Sequence, residues 1–194
     1  MKRESPRRQA ILEVLAAELE SNPGARITTA TLARAVGVSE AALYRHFASK
    51  TQMFEGLIDF AESSVFALFN QVMREQQAVD TRCLHLCLVV LGFAERNPGI
   101  TRLLMGDILL GEHPRLHQRV RQFFARVETQ FKQVLREGMP NANQATIAAR
   151  AALLHSVLLG RLDRFVRDEF RSPPGAGWDE QWALLGRGVF APAR

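Results

Sequence analysis

Residues 28–47 read Thr-Thr-Ala-Thr-Leu-Ala-Arg-Ala-Val-Gly-Val-Ser-Glu-Ala-Ala-Leu-Tyr-Arg-His-Phe, and the stretch divides at Gly37. Before it, Thr28 or Thr29 caps a short helix carrying Leu32, Ala33 and Val36, since a hydroxyl accepts from an otherwise unpaired N–H of the first turn. Gly37 offers the left-handed turn of a tight helix–helix corner. Ser39 then caps a second short helix, expected over residues 40–46. Leu32, Ala33, Val38, Ala42, Leu43 and Phe47 are the apolar positions that hold the pair together. Ser39, Ala41, Tyr44, Arg45 and His46 are left facing outward. This is a helix-turn-helix pattern. Its outward set suits a DNA major groove, where Arg takes guanine bidentately and small side chains touch thymine methyls. Tyr44, His46 and Lys50 are placed to take phosphates. The expected DNA-contact residues are therefore Thr28, Thr29, Ser39, Ala41, Tyr44, Arg45, His46 and Lys50. The plainer reading makes Tyr44 and Phe47 core aromatics and Arg45 a solvated charge. The two caps and the local charge weigh against it.

Charge supports a localised anionic partner. The 194-residue chain carries a net charge of +5. Residues 2–8 hold Lys2, Arg3, Arg7 and Arg8 against Glu4, and residues 26–50 hold Arg26, Arg34, Arg45 and Lys50 against Glu40. Most of the excess thus lies in the first quarter of the chain. A preference for Arg over Lys along the rest is also what a GC-rich genome produces.

Working outward, nearly everything reads as helix. Ser5-Pro6 starts one, with Ile11, Leu12, Leu15 and Leu19 at helical spacing and Asn22-Pro23-Gly24 as its stop. Ser49 with Gln52 forms a capping box for a long helix striped by Phe54, Ile58, Ala61, Val65, Leu68 and Val72. A helix from Asp80 to Arg96 is broken by Asn97-Pro98-Gly99, and a short one follows over 100–104. Pro114 opens a helix ending at Gly138, Asn143 caps one running on to Phe165 and Phe170, and residues 178–189 close the chain. No segment alternates with strand period. The expected architecture is all-α: a three-helix helix-turn-helix domain over 1–48, then a helical bundle for regulation and dimerisation over 49–194. Ala148, Ala149, Ala152, Ser156 and Gly160 form a small-residue face on the 143–170 helix. With Trp182 and Leu185 of the last helix, they predict a homodimer joined by four helices.

Several function classes lack their parts. No phosphate-binding Gly-rich loop, zincin or nucleophile-elbow motif is present, so no enzyme is expected. Cys83 and Cys87 share a leucine-rich face and read as core thiols. His113 and His117 are too few for a closed metal site, and no cofactor or metal is expected. The longest apolar run, 83–94, falls short of the ~18 residues of a membrane span. A cytoplasmic location fits.

The stretch Val-Ser-Glu-Ala-Ala-Leu-Tyr-Arg-His-Phe over 38–47, continuing through Ser49-Lys50 to Met53-Phe54, resembles TetR-type transcription regulators. In that family the helix ending at His46-Phe47 is the recognition helix. Further stretches (residues 26–33, 90–99, 101–106, 133–137 and 164–170) are similar to the nucleoid occlusion factors of the family. That resemblance implies a DNA-binding protein of palindromic chromosomal sites, loading as one or more dimers. While bound, it would antagonise FtsZ, the tubulin-like protein of the division ring. The FtsZ tail would dock on Phe60, Val89, Gly92, Arg96 and Asn97. Leu68 departs from the pattern, standing where a relative carries a basic residue.

Read from the residues alone, Phe60 lies off its helix stripe and is expected to be partly exposed. Gly92 inside a helix costs ~1 kcal/mol against Ala and wants a reason: tight internal helix packing is the plainer one, close approach of another chain the alternative. The alternative function is a ligand-responsive TetR-type repressor, in which Phe93, Met105, Phe123, Phe124 and Trp182 line a cavity.

Overall fold

The computed structural model describes residues 6–22, 27–75, 78–109 and 111–191. Among them are nine α-helices and one 3-10 turn, with no strand. The expected cap Ser5, the Pro23-Gly24 stop and the charges at Lys2, Arg3, Glu4 and Arg26 lie outside the described residues. The helices are α1 (Pro6–Ser21), α2 (Thr29–Val36), α3 (Glu40–Tyr44), α4 (Lys50–Arg74), α5 (Val79–Arg96), α6 (Pro98–Met105), α7 (Pro114–Gly138), α8 (Gln144–Arg167) and α9 (Trp178–Val189). They form two compact units that do not follow chain order. One takes residues 1–62 and 97–121, the other 63–96 and 122–194.

In the first unit, α1 buries Ile11, Leu12, Leu15 and Leu19 on one stripe. Its tightest neighbour is α6. A Cβ on Gly99 would lie 2.0 Å from the Ala16 carbonyl oxygen, so only glycine permits this approach. One turn on, buried Arg102 donates from Nη1 to the carbonyls of Leu19 and Asn22, at 3.0 Å each. These are the carbonyls that the end of α1 leaves without helical partners. The Asn97-Pro98-Gly99 break is thus also a helix start: Pro98 occupies the first position of α6, which needs no N–H. At the head of α4, Ser49 accepts from the Gln52 N–H at 3.2 Å. Gln52 reaches back to the Ala48 N–H at 2.9 Å, one residue before the position a standard capping box uses.

The second unit packs the distal half of α4, α5, most of α7, α8 and α9. Phe66 meets Phe69 edge-on at 5.5 Å and Phe123 at 5.7 Å, and Phe123 meets Phe124 at 5.1 Å. Trp182 lies against Trp178 and Phe190, 5.9 Å from each. Phe123, Phe124 and Trp182, expected at a ligand cavity, are therefore each engaged with another ring. Buried Arg82 pairs with Glu137 at 2.6 Å. Cys83 and Cys87 are buried free thiols, and burial pushes Cys83 up to about 12.

The helix read as running on to Phe170 ends at Arg167. Glu169 and Phe170 take left-handed backbone (φ 55° and 67°), which turns the Phe170 ring onto Phe165 at 5.2 Å. Packing of one ring here overrides the continued helical pattern. By length and composition α8 is apolar enough to cross a bilayer, unlike the shorter run read at 83–94. Its stripe Ile147, Ala151, Leu154, Leu158, Leu162 and Phe165 is buried in its own unit. The face with Ala149, Ala152, Leu153, Ser156 and Gly160 stays exposed.

His155 borders that face. Its Nδ1 lies 3.6 Å from Glu128, and its ring 6.0 Å from Phe124. Burial holds its pKa below the ordinary 6.5. Glu128 opposes the shift, and Lys132 adds to it. The unfolded chain therefore binds a proton at this residue before the folded one does. The stability His155 contributes is complete above about pH 6.5 and is lost as pH falls through the lower folded value. The melting temperature of the native protein is expected to drop more steeply below pH 6.5 than that of His155→Gln. Parallel melting curves across that range would refute the burial effect.

Candidate functional site

The helix-turn-helix forms with the expected chemistry and sharper detail. Thr28, not Thr29, is the N-cap of α2. Its hydroxyl accepts from the Thr31 N–H at 3.1 Å, while Thr31 Oγ1 accepts from the Thr28 N–H at 3.1 Å. Thr29 instead donates its hydroxyl to Glu40 Oε2 at 2.8 Å, tying the start of α2 to the start of α3. Gly37 is left-handed (φ 73°), and Ser39 accepts from the Ala42 N–H at 3.2 Å. The recognition helix is two residues shorter than 40–46. It ends at Tyr44, after which His46 and Phe47 both donate backbone N–H to the Leu43 carbonyl in a tight turn. That turn buries Phe47 (1% exposed) beside Leu43 (0%) and leaves Tyr44, Arg45 and His46 projecting. Leu32 and Ala33 are buried as expected, and Val38 and Ala42 are half-buried. Tyr44 at 44% exposure is thus an outward aromatic, and only Phe47 belongs to the core.

Three basic side chains converge below the recognition helix. Arg7, Arg45 and His46 rim a cleft of about 390 Å3 floored by Ile11, Val38 and Ala42. Arg8 lies 4.4 Å over the Phe47 ring, a cation–π contact that holds α1 to the motif. Sequence reading counted Arg7 only as charge. Nothing in residues 2–8 indicates that α1 delivers it to the same cleft as Arg45. Lys50 is partly buried, paired with Glu112 and 5.2 Å from the Phe54 ring. A phosphate must compete with that carboxylate for its ammonium.

The second group of expected residues divides between the units. In the first, Phe60 is 41% exposed, as its position off the helix stripe implied. It shares with Asn97 a pocket of about 300 Å3. In the second, Val89, Gly92 and Arg96 follow one another at helical spacing on α5. The expectation that Gly92 serves tight packing between helices is not met. The three atoms nearest to a Cβ there all belong to the guanidinium of Arg96, at 3.4–3.8 Å, and none to another helix. Gly92 leaves a bare turn of backbone on which the exposed Arg96 lies. Leu68 is 40% exposed. His113 and His117 have local tasks. His113 Nδ1 accepts from the Arg115 N–H at 3.2 Å, and His117 Nε2 bonds the Leu109 carbonyl at 2.9 Å.

Residues 11–57 match the family described as bacterial regulatory proteins, tetR family, and residues 76–189 match the tetracyclin repressor-like C-terminal domain. The chain is 53% identical over 182 residues to the nucleoid occlusion factor SlmA of Shewanella woodyi, covering 92% of each protein. It is 48% identical over 192 residues to the SlmA of a Marinomonas species, covering 96% of each. Among solved structures, the fatty acid degradation regulator FadR of Bacillus halodurans superposes with a TM-score of 0.76 at 14% identity, over 95% of this chain and 96% of that one. At that identity the likeness speaks for the fold alone. Together with a helix-turn-helix whose caps, corner and outward residues all form, these relationships place the chain in the SlmA family of nucleoid occlusion factors, within the TetR-type DNA-binding regulators.

Proposed function

We propose that the protein acts as a homodimer on palindromic chromosomal sites and, while bound there, antagonises assembly of FtsZ over the nucleoid. Residues 1–48 read DNA, and residues 49–194 carry dimerisation and the FtsZ contact. The observation that carries the DNA-reading part is the projecting Tyr44-Arg45-His46 group on a short, doubly braced helix. A twofold dimer sets two such helices in successive major grooves, ~34–36 Å apart. The exposed small-residue face of α8, with Leu153 and Leu184 at 46% and 62% exposure, supports that dimer. A Cβ on Gly160 would meet nothing within 4 Å among the described residues, which leaves room there for a partner copy. The FtsZ part rests on Phe60, Val89, Gly92, Arg96 and Asn97, which include an exposed aromatic and an exposed cation suited to an acidic peptide tail.

The test is co-pelleting of FtsZ polymer with the protein, with and without a specific DNA duplex. Loss of polymer that depends on the duplex supports the reading. Polymer unaffected under both conditions would overturn it. On the DNA side, Tyr44→Ala and Lys50→Ala are expected to weaken binding to all sequences, while Arg45→Ala relaxes discrimination between sites. Each lost phosphate contact lowers the slope of log affinity against log salt by about one per subunit. Lys50→Ala with affinity and salt slope both unchanged would mean that Lys50 serves Glu112 alone.

A further inference from the structure

The pocket that joins Phe60 to Asn97 has a wall that the expected contact set does not contain. Leu12 and Ala16 of α1 face it, together with Leu57 of α4 and Ile100 of α6. Leu12, Leu57 and Ile100 are each under 5% exposed, so the floor is apolar and already packed from behind. The polar groups sit at the margin. Asn97 marks the α6 side, and Gln9 and Glu13 mark the α1 side, where the Gln9 amide donates to Glu13 Oε1 at 3.1 Å. The wall from α1 is rigidly placed, because Gly99 lets α6 touch the α1 backbone and Arg102 binds the last carbonyls of α1. At about 300 Å3 the space is at the bottom of the range that holds whole small molecules (~300–1,000 Å3), and it is open to solvent.

We infer that this pocket is an anchor subsite for one large apolar side chain of the FtsZ tail, with α1 forming its third wall and Glu13 setting the charge it tolerates beside that side chain. The inference rests on the reading that Phe60 and Asn97 belong to the FtsZ-docking site, and the occupant follows from that continuity. A chain crossing Phe60 and Asn97 passes the mouth of the pocket. An apolar floor with polar groups confined to the rim rewards burial of an apolar side chain there and leaves the backbone of the peptide at the rim. Glu13 is exposed and its carboxylate is held at that rim by Gln9. An acidic residue of the peptide next to the anchor is therefore repelled, and an uncharged or basic one is accepted.

Binding of a fluorescent FtsZ-tail peptide to the full-length protein, followed by anisotropy, tests this. Ala16→Met extends a side chain into the pocket from half-buried Ala16 and is expected to weaken the peptide at least tenfold. Glu13→Arg lies on the exposed rim, leaves the fold intact and is expected to strengthen an acidic peptide several-fold, with the gain shrinking as salt rises. A peptide whose apolar residues are replaced by Ser is expected to bind the native protein and Ala16→Met equally weakly. Melting curves establish that each variant is folded. If Ala16→Met and Glu13→Arg bind the native peptide as the unaltered protein does, while Phe60→Ala and Arg96→Asp lose it, the docking site stands and the α1 wall is wrong. If none of the four changes affinity, the docking reading itself falls. If the Ser-substituted peptide binds as tightly as the native one, no apolar anchor exists.

Discussion

Gly99→Ala is expected to destabilise the protein more than any exposed substitution and to weaken DNA binding with it. The new Cβ would lie 2.0 Å from the Ala16 carbonyl oxygen, 3.0 Å from the Ala16 carbonyl carbon and 3.0 Å from the Glu20 nitrogen. All three are backbone atoms of α1, so no side chain can rotate away, and the two helices must separate. Separation loosens the packing of Leu15 and Leu19 and lengthens the Arg102 bonds to Leu19 and Asn22. Overpacking typically costs ~1–3 kcal/mol, and a clash confined to backbone belongs at the upper end. At ~2–4 °C per kcal/mol for a chain of this size, the melting temperature falls by about 10 °C. Because α1 also carries Arg7 and Arg8 to the recognition helix, affinity for specific DNA should drop in the same variant. A melting temperature within a degree or two of the native value would show that α1 and α6 do not approach this closely.

Arg96→Asp is expected to abolish the effect on FtsZ while leaving DNA affinity within about twofold. Arg96 is exposed in the last turn of α5, where a cation is favoured by the helix dipole by only ~0.3–1 kcal/mol, so the reversal is tolerated by the fold. Its guanidinium lies over Gly92, one turn back on the same helix. Removing one partner of an interfacial charge pair costs ~2–5 kcal/mol, which is about 30-fold or more in tail affinity. Arg96 lies outside the unit that carries α2 and α3, which is why DNA binding is expected to survive. Peptide anisotropy and duplex binding on the same preparation decide the matter. A folded variant that loses both activities would show that the two sites are not separate. With Leu68 where a relative has a basic residue, the tail contact here is also expected to depend less on salt than in that relative.

Local chemistry made much of this protein legible in its residue order. α7 and α9 begin and end where Pro114, Gly138 and the loop over 172–177 indicate, and Ser39, Asn143 and Gly37 cap or turn the chain as their side chains allow. The outward placement of Tyr44, Arg45 and His46 also follows from spacing, because Leu43 and Phe47, four apart, take the buried side and leave the three residues between them outward. All of these depend on interactions within about four residues, and such interactions are written in sequence. Other features were settled by neighbours far along the chain. Thr29 turned to Glu40 instead of capping, Lys50 found Glu112 across 62 residues, and Phe170 left the helix to meet Phe165. Gly99 was readable as a helix break but not as the one residue that lets α6 lie on the α1 backbone. Gly92 reads in sequence as a packing glycine, whereas the structure sets the arginine of its own helix nearest to it. The pocket beside Phe60 and Asn97 belongs to the same class. Its walls come from residues 9–16, 57–60 and 97–100, and no periodicity in any one segment encodes which apolar stripe will face another. Sequence by itself determined the helices, most of their ends and the outward placement of Tyr44, Arg45 and His46. Tertiary structure alone decided which helix backs which, and therefore where the chain leaves an apolar wall open to solvent.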